Sequence, residues 1–196
     1  MTEKIKNLIA EIIEAHKRMV EGLQASGMEI IADMAEAIIR AVKKGATVYI
    51  CGNGGSAADA QHIASELVNR FEYNRRALPA VALTTDSSII TSIGNDSSYE
   101  AVFARQAEAL VKKGDVFWAI STSGTSANVL SAVKVAKQKG ALVIAFTGRE
   151  KSPLERLADI CFCADDESTA RSQEIHQIAY HIICKIVESR FVGANK

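Results

Sequence analysis

The stretch VYICGNGGSAADAQHIASELVNRF, residues 48–71, decides the fold. An apolar run stops at Cys51, and the small polar loop Gly52-Asn53-Gly54-Gly55-Ser56 follows. A helical pattern then carries His62 and Glu66 four residues apart. Strand, small-residue loop and helix make the first half of a β-α-β unit. The loop alone has two readings. It is a tight strand-to-helix turn, or it is an anion cradle. In a cradle the glycines let backbone approach a ligand, and Ser56 and the first helical amides favour negative charge. It has neither the lysine of a nucleoside-triphosphate loop nor the GxGxxG spacing of a dinucleotide fingerprint. The His62/Glu66 pair is equally two-sided. Spacing puts both on one helix face, as metal ligands or as a solvated surface pair.

Outward from this stretch the same alternation continues. Apolar runs at 47–51, 80–83, 116–120, 142–146 and 160–163 are separated by helical patterns near 56–70, 99–111, 126–139 and 153–157. A long helix closes the chain over 169–192. Strands alternating with helices predict a three-layer α/β/α fold with a five-stranded parallel sheet. Two further helices come first. Apolar residues recur at three- and four-residue steps from Ile5 to Leu23 and again from Ile30 to Val42, with Ala25-Ser26-Gly27 read as a break between them. The whole chain, 1–196, reads as a single domain, and the helical pair in 1–45 as its packing or oligomerisation element.

Bulk composition narrows the function classes. The 196 residues carry 23 Lys and Arg against 23 Asp and Glu, a formal net charge of zero. Nothing in that balance attracts nucleic acid or an anionic membrane surface. No apolar run is long enough to span a bilayer, and the N-terminus has no signal-peptide core. The four cysteines, Cys51, Cys161, Cys163 and Cys184, lack framework spacing and read as reduced thiols of a cytoplasmic protein.

In open parallel sheets, ligands bind beyond the carboxyl ends of the strands. The loop after the third run, Ser121-Thr122-Ser123-Gly124-Thr125-Ser126, puts five hydroxyls around one glycine at a helix start. Ser126 as an N-cap explains one hydroxyl, not five. With no Lys or Arg in either loop, a phosphate there is held by neutral donors and the helix dipole. That suits a sugar monophosphate better than a nucleoside triphosphate. After the second run, Thr84-Thr85-Asp86-Ser87-Ser88 and Gly94-Asn95-Asp96 read as loop residues, either sugar-hydroxyl contacts or turn and cap residues.

Four ordered motifs, CGNGGSAADAQHIASELVNRF, TSIGND, ISTSGTS and ARSQEIHQIAYH, together resemble the sugar isomerase (SIS) domain family. Within it they are similar to the phosphoheptose isomerases, over essentially the whole chain. The resemblance implies a cytoplasmic homotetramer with active sites between subunits. It implies interconversion of sedoheptulose 7-phosphate and D-glycero-D-manno-heptose 7-phosphate, the first step toward the heptose of lipopolysaccharide. It implies one zinc ion per subunit on His62, Glu66, Gln173 and His181, with Glu66 and His181 as the acid–base pair. It places substrate contacts on Asn53, Gly54, Gly55, Asn95, Asp96, Ser121, Thr122, Ser123 and Ser126. Ser56, Gln173, Glu66 and Arg70 join that set. Departures from the family pattern are Thr125 in place of Asn, Ser97-Ser98 after Asp96 in place of an aromatic-glycine pair, and Ala170 where some members carry Asp. Two other classes share this fold: a DnaA-initiator-associating regulator of replication and a sugar-phosphate sensor without turnover.

The chemistry fits these residue types. Aldose–ketose isomerisation needs a base for a carbon-bound proton and an acid or metal for the developing oxyanion. Glu66 supplies a carboxylate, and His181 titrates near neutrality. Gln173 and His181, however, are eight residues apart, a rise of roughly 12 Å on an ideal helix. Either their side chains lean together, or the ligands come from different subunits, or not all four bind at once. His176, three residues after Gln173, is an easier partner by spacing, or else a packing histidine bonded to a backbone carbonyl.

Overall fold

A computed structural model describes residues 2–193. Helices α1 (Glu3–Gly22) and α2 (Met28–Lys43) precede the sheet. Then come β1 (Val48–Gly52), α3 (Gly55–Val68), β2 (Ala80–Ala82), α4 (Ser87–Asp96), α5 (Val102–Leu110) and β3 (Val116–Ser121). The remainder is α6 (Ala127–Gln138), β4 (Leu142–Thr147), α7 (Pro153–Leu157), β5 (Ile160–Cys163) and α8 (Thr169–Ser189). The five strands pair parallel in the order β2-β1-β3-β4-β5.

Helices cover both faces of the sheet, so its central strands are apolar throughout. Every residue of β1 and β3 is buried. Alternate side chains feed two cores. Ile50, Trp118 and Phe146 pack with α2, α3 and α8 on one side. Tyr49, Phe117 and Val143 pack with α5 and α6 on the other. All four cysteines are free thiols. Burial pushes the Cys161 thiol up to about 12 and raises Cys51 and Cys184 further. Among the described residues no helix is long and apolar enough to cross a membrane.

Two sequence expectations are corrected. Ala25-Ser26-Gly27 does not break the helix. Residues Leu23–Gly27 form a π-helical turn that carries α1 on into α2. Gly27 is selected by contact, since a Cβ there would stand 2.7 Å from Leu23 Cδ1 and 3.4 Å from Phe162. Residues 87–96 are not loop but α4, whose Asp86 cap accepts from the Ile89 amide at 2.9 Å. Helix α1 buries none of its residues. Its apolar stripe lies in the open, with Leu8 at 55% and Ile13 at 51% exposure.

Candidate active site

Topology brings the two glycine- and hydroxyl-rich loops together. The chain leaves β1 toward β2 at one edge and resumes at β3 on the other side of β1. Such a reversal opens a crevice at the strand ends. Gly52 is in register with Ile120, so 52–56 and 121–126 stand side by side. Asn53, Gly54, Gly55 and Ser56 from the first loop line one open cleft of about 230 Å³, with Ser121, Thr122 and Ser126 from the second and Gln173 from α8.

The start of α3 at this cleft is left free, while at the start of α6 the Val129 amide donates to Asn128 Oδ1 at 2.9 Å. Gly54 takes φ 54°, ψ −121°, a backbone state that favours glycine, and no side chain caps α3. Ser126 precedes α6 but makes no cap hydrogen bond. Its hydroxyl instead pairs with the Ser121 hydroxyl at 2.9 Å. Ser126 thus holds the N-cap position of α6 without capping through its side chain. Asn53 and Asn128 exchange amide hydrogen bonds of 2.8 Å in both directions, and the Tyr99 hydroxyl donates to Asn53 Oδ1 at 3.1 Å. Ser123 accepts from the Thr125 amide and hydroxyl, and its own hydroxyl lies 3.4 Å from that of Ser121.

A second cluster lies further along α3. That helix and α8 run side by side in the same direction. Gln173 lies against Gly55, Tyr180 against His62 and Asp59, and Glu188 against the residues after α3. His62 Nε2 is 3.0 Å from Glu66 Oε1. The His62 and His181 rings meet edge-on with centroids 5.0 Å apart, and Phe71 covers His181 at 5.6 Å. Burial, then the neighbouring His62 charge, lowers the His181 pKa, while Glu66 opposes the shift.

The sequence reading missed two residues of this cluster. The Tyr180 hydroxyl lies 3.0 Å from His62 Nδ1 and donates to Asp59 Oδ1 at 3.5 Å. Desolvation raises the Asp59 carboxyl to about 6. Helical spacing could have found Asp59, which stands three residues before His62 and seven before Glu66. Tyr180 gave no signal beyond its place next to His181.

Within one chain the predicted residues therefore fall into two groups. Gln173 joins the hydroxyl cleft, while His62, Glu66 and His181 form the second cluster. Asn95 and Asp96 join neither. They sit exposed at the end of α4, the Asn95 amide donating to Asp96 at 2.8 Å. Arg70 is exposed just past the end of α3. His176 is the packing histidine. Its Nε2–H donates to the Thr147 carbonyl at 2.9 Å, and the ring is buried against Phe146 and Phe162.

That burial gives a pH prediction. Desolvation depresses His176 to about 4, below its ordinary 6.5. Below pH 6.5 the unfolded chain takes up a proton that the folded one refuses. Stability then falls as pH drops toward 4, with a slope approaching about 1.4 kcal/mol per pH unit from this group. Chemical denaturation across that range checks it: His176→Gln, which keeps a donor for Thr147, shows the shallower loss.

Comparison with known proteins assigns the chain. The SIS domain family model matches residues 11–148. The phosphoheptose isomerase of Thiobacillus denitrificans is 48% identical over 195 residues, covering 92% of this chain and 98% of that one. The solved phosphoheptose isomerase of Neisseria gonorrhoeae superposes with a TM-score of 0.90 at 37% identity, covering 94% and 99%. That of Francisella tularensis gives 0.91 at 35%, covering 96% and 100%.

The chain belongs to the SIS-domain phosphoheptose isomerase family.

In this SIS domain the second cluster has donors suited to a metal. Two histidines and a glutamate form a donor set that catalytic zinc sites use, with one position left for water or substrate. Tetrahedral ligands about 2.1 Å from zinc stand roughly 3.4 Å apart, close to the His62–Glu66 separation. The convergence is incomplete: among the described residues no group of three or more His, Cys, Asp or Glu is set to hold a metal ion.

Proposed function

We propose that this family member interconverts sedoheptulose 7-phosphate and D-glycero-D-manno-heptose 7-phosphate. The observation that carries the reading is the division of α3 into two working ends. Its N-terminus faces the hydroxyl cleft, and His62 and Glu66 lie two to three turns further on. An open-chain heptose 7-phosphate has the same polarity, with its phosphate at one end and C1 and C2 at the other. Asn53, Gly54, Gly55, Ser56, Ser121, Thr122 and Ser126 hold the phosphate end by amides and hydroxyls. Glu66 and His181 work at the carbonyl end.

The Glu66 carboxylate removes a proton from C1 of the ketose, and the released pair forms the C1=C2 bond as the C2=O π pair moves onto O2, giving an ene-diolate. His181 carries a proton from O1 to O2. Return of the first proton from Glu66 to C2 leaves the aldehyde at C1. His62, Glu66 and His181 would hold a zinc ion, and Gln173 is the fourth ligand that the family resemblance names. Bound there, zinc would polarise the carbonyl oxygen as a Lewis acid. The test is conversion of sedoheptulose 7-phosphate by the purified protein, followed by proton NMR with and without added zinc. Appearance of the aldose supports the reading; no conversion under either condition overturns it.

We further propose that the enzyme is a homotetramer that uses α1 in assembly. The exposed stripe Ile5, Leu8, Ile9, Ile12 and Ile13 supports this, because apolar side chains in that number on one helix need a cover. The double variant Leu8→Asp/Ile12→Asp should elute as dimers or monomers by light scattering, where the parent elutes as a tetramer.

A further inference from the structure

Between α3 and β2 the chain runs through residues 69–79 without regular structure. Such a segment is ordinarily the loosest part of a fold. Here it is fastened to α8 by a buried carboxylate. Glu188 Oε1 accepts from the Phe71 amide at 2.7 Å, and Oε2 accepts from the Glu72 and Tyr73 amides at 2.6 and 2.9 Å. Three successive amides aimed at one point form an anion-binding nest, and the chain fills it with its own side chain.

Arg75 completes the clamp. Its side chain is fully buried, with Nε 3.5 Å from Glu188 Oε1. Nη2 donates to the Glu66 carbonyl at 2.6 Å, and Nη1 to the Asn69 and Arg76 carbonyls at 3.0 Å each. The Glu66 carbonyl lies in the last turn of α3, where no intrahelical partner exists. The guanidinium therefore caps the turn that carries the Glu66 side chain. The same clamp fixes Phe71, whose ring backs His181. Glu188 and His181 lie two turns apart on one helix.

We propose that Arg75 and Glu188 are positioning residues of the isomerase site. They lock the loop so that Phe71 holds the His181 ring, and they pin the helix end that presents Glu66. The hydroxyl cleft at the opposite end of α3 is untouched by the clamp, so its grip on phosphate is independent of it. This inference rests on the isomerase reading above.

The test compares Arg75→Lys, Phe71→Leu and the double variant with the parent, at saturating zinc, by steady-state kinetics on sedoheptulose 7-phosphate. Lysine keeps the charge beside Glu188 but cannot reach all three carbonyls. A misplacement of about 1 Å at a reacting group costs about 100-fold. We expect each single variant to lose about 10- to 100-fold in kcat with KM within about threefold, and the double variant to be no worse than the poorer single. Phe71→Leu leaves the ion pair intact and decides the matter if Arg75→Lys does not fold. A kcat within about twofold of the parent in Phe71→Leu, a loss confined to KM, or additive losses would each overturn the inference. An inactive parent would overturn the isomerase reading instead.

Discussion

Glu66→Gln is expected to reduce turnover of sedoheptulose 7-phosphate by about 10²–10⁴-fold, the usual worth of a positioned general base. Glutamine has nearly the same shape and keeps a carbonyl oxygen toward His62, whose Nε2 stands 3.0 Å from the carboxylate. Folding should survive, because Glu66 is only partly buried and its side-chain partner is His62. What glutamine lacks is a lone pair basic enough to take a proton from carbon. KM should change little if the phosphate end of the substrate binds, as proposed, in the cleft at the other end of α3. His181→Asn should show the same pattern, since it removes the group proposed to move protons between O1 and O2. Proton NMR in deuterium oxide reads the step directly: the parent exchanges label into the sugar at C1 and C2, and Glu66→Gln does not. Full turnover in both variants would remove Glu66 and His181 from the acid–base roles. Loss of zinc alone does not mimic the result if the assay is run at saturating metal.

Short unbroken apolar runs and period-3.6 apolar stripes carry most of this architecture, which is why the five strands and the long terminal helix are legible in the sequence alone. Those patterns record burial, and burial follows layer packing. Helix α4 was hidden because residues 87–96 hold Ser, Thr, Ile and Asn, weak helix formers that also suit a loop. Its one local signal was Asp86, a good N-cap. The π turn at Leu23–Gly27 was hidden because a small-residue triplet looks like a break; Gly27 is crowded first by Leu23 in the same turn and then touched by Phe162, far along the chain. The site was legible where chemistry repeats locally, as in the two loops and the His62/Glu66 spacing. The clamp was not. Glu188 is an ordinary polar residue on a helix until the fold buries it against amides more than a hundred residues away. Gln173 and His181 were placed on one helix correctly, but only the parallel run of α3 beside α8 shows that they face different clusters.

The glycine that opens the deciding stretch should be the least replaceable of its loop. Gly52 ends β1, and the first turn of α3 packs directly against it. A Cβ at Gly52 would stand 2.7 Å from the Ser56 carbonyl oxygen, 2.8 Å from Ser56 Cβ and 2.9 Å from the Ser56 carbonyl carbon. Two of those atoms are backbone, so no rotamer change relieves the overlap. Either β1 or the first turn of α3 must move. β1 is held on both edges by β2 and β3, with Gly52 itself in register with Ile120. The helix therefore yields, and with it the amides of Gly55 and Ser56 that face the cleft. Gly52→Ala should cost about 3 kcal/mol of stability, at the upper end of overpacking. It should also raise KM for the sugar phosphate by more than about tenfold, because displaced amides no longer converge on the phosphate. Gly54→Ala is the contrast. A Cβ there meets open space, and only the φ of 54° resists it. That strain costs about 1–2 kcal/mol without pushing α3 away from the sheet. Urea denaturation and phosphate-inhibition constants measured on both variants separate the two cases. If Gly52→Ala binds inorganic phosphate as the parent does, the cleft does not depend on the approach of α3 to β1. The phosphate would then have to be held by the hydroxyls of 121–126 alone.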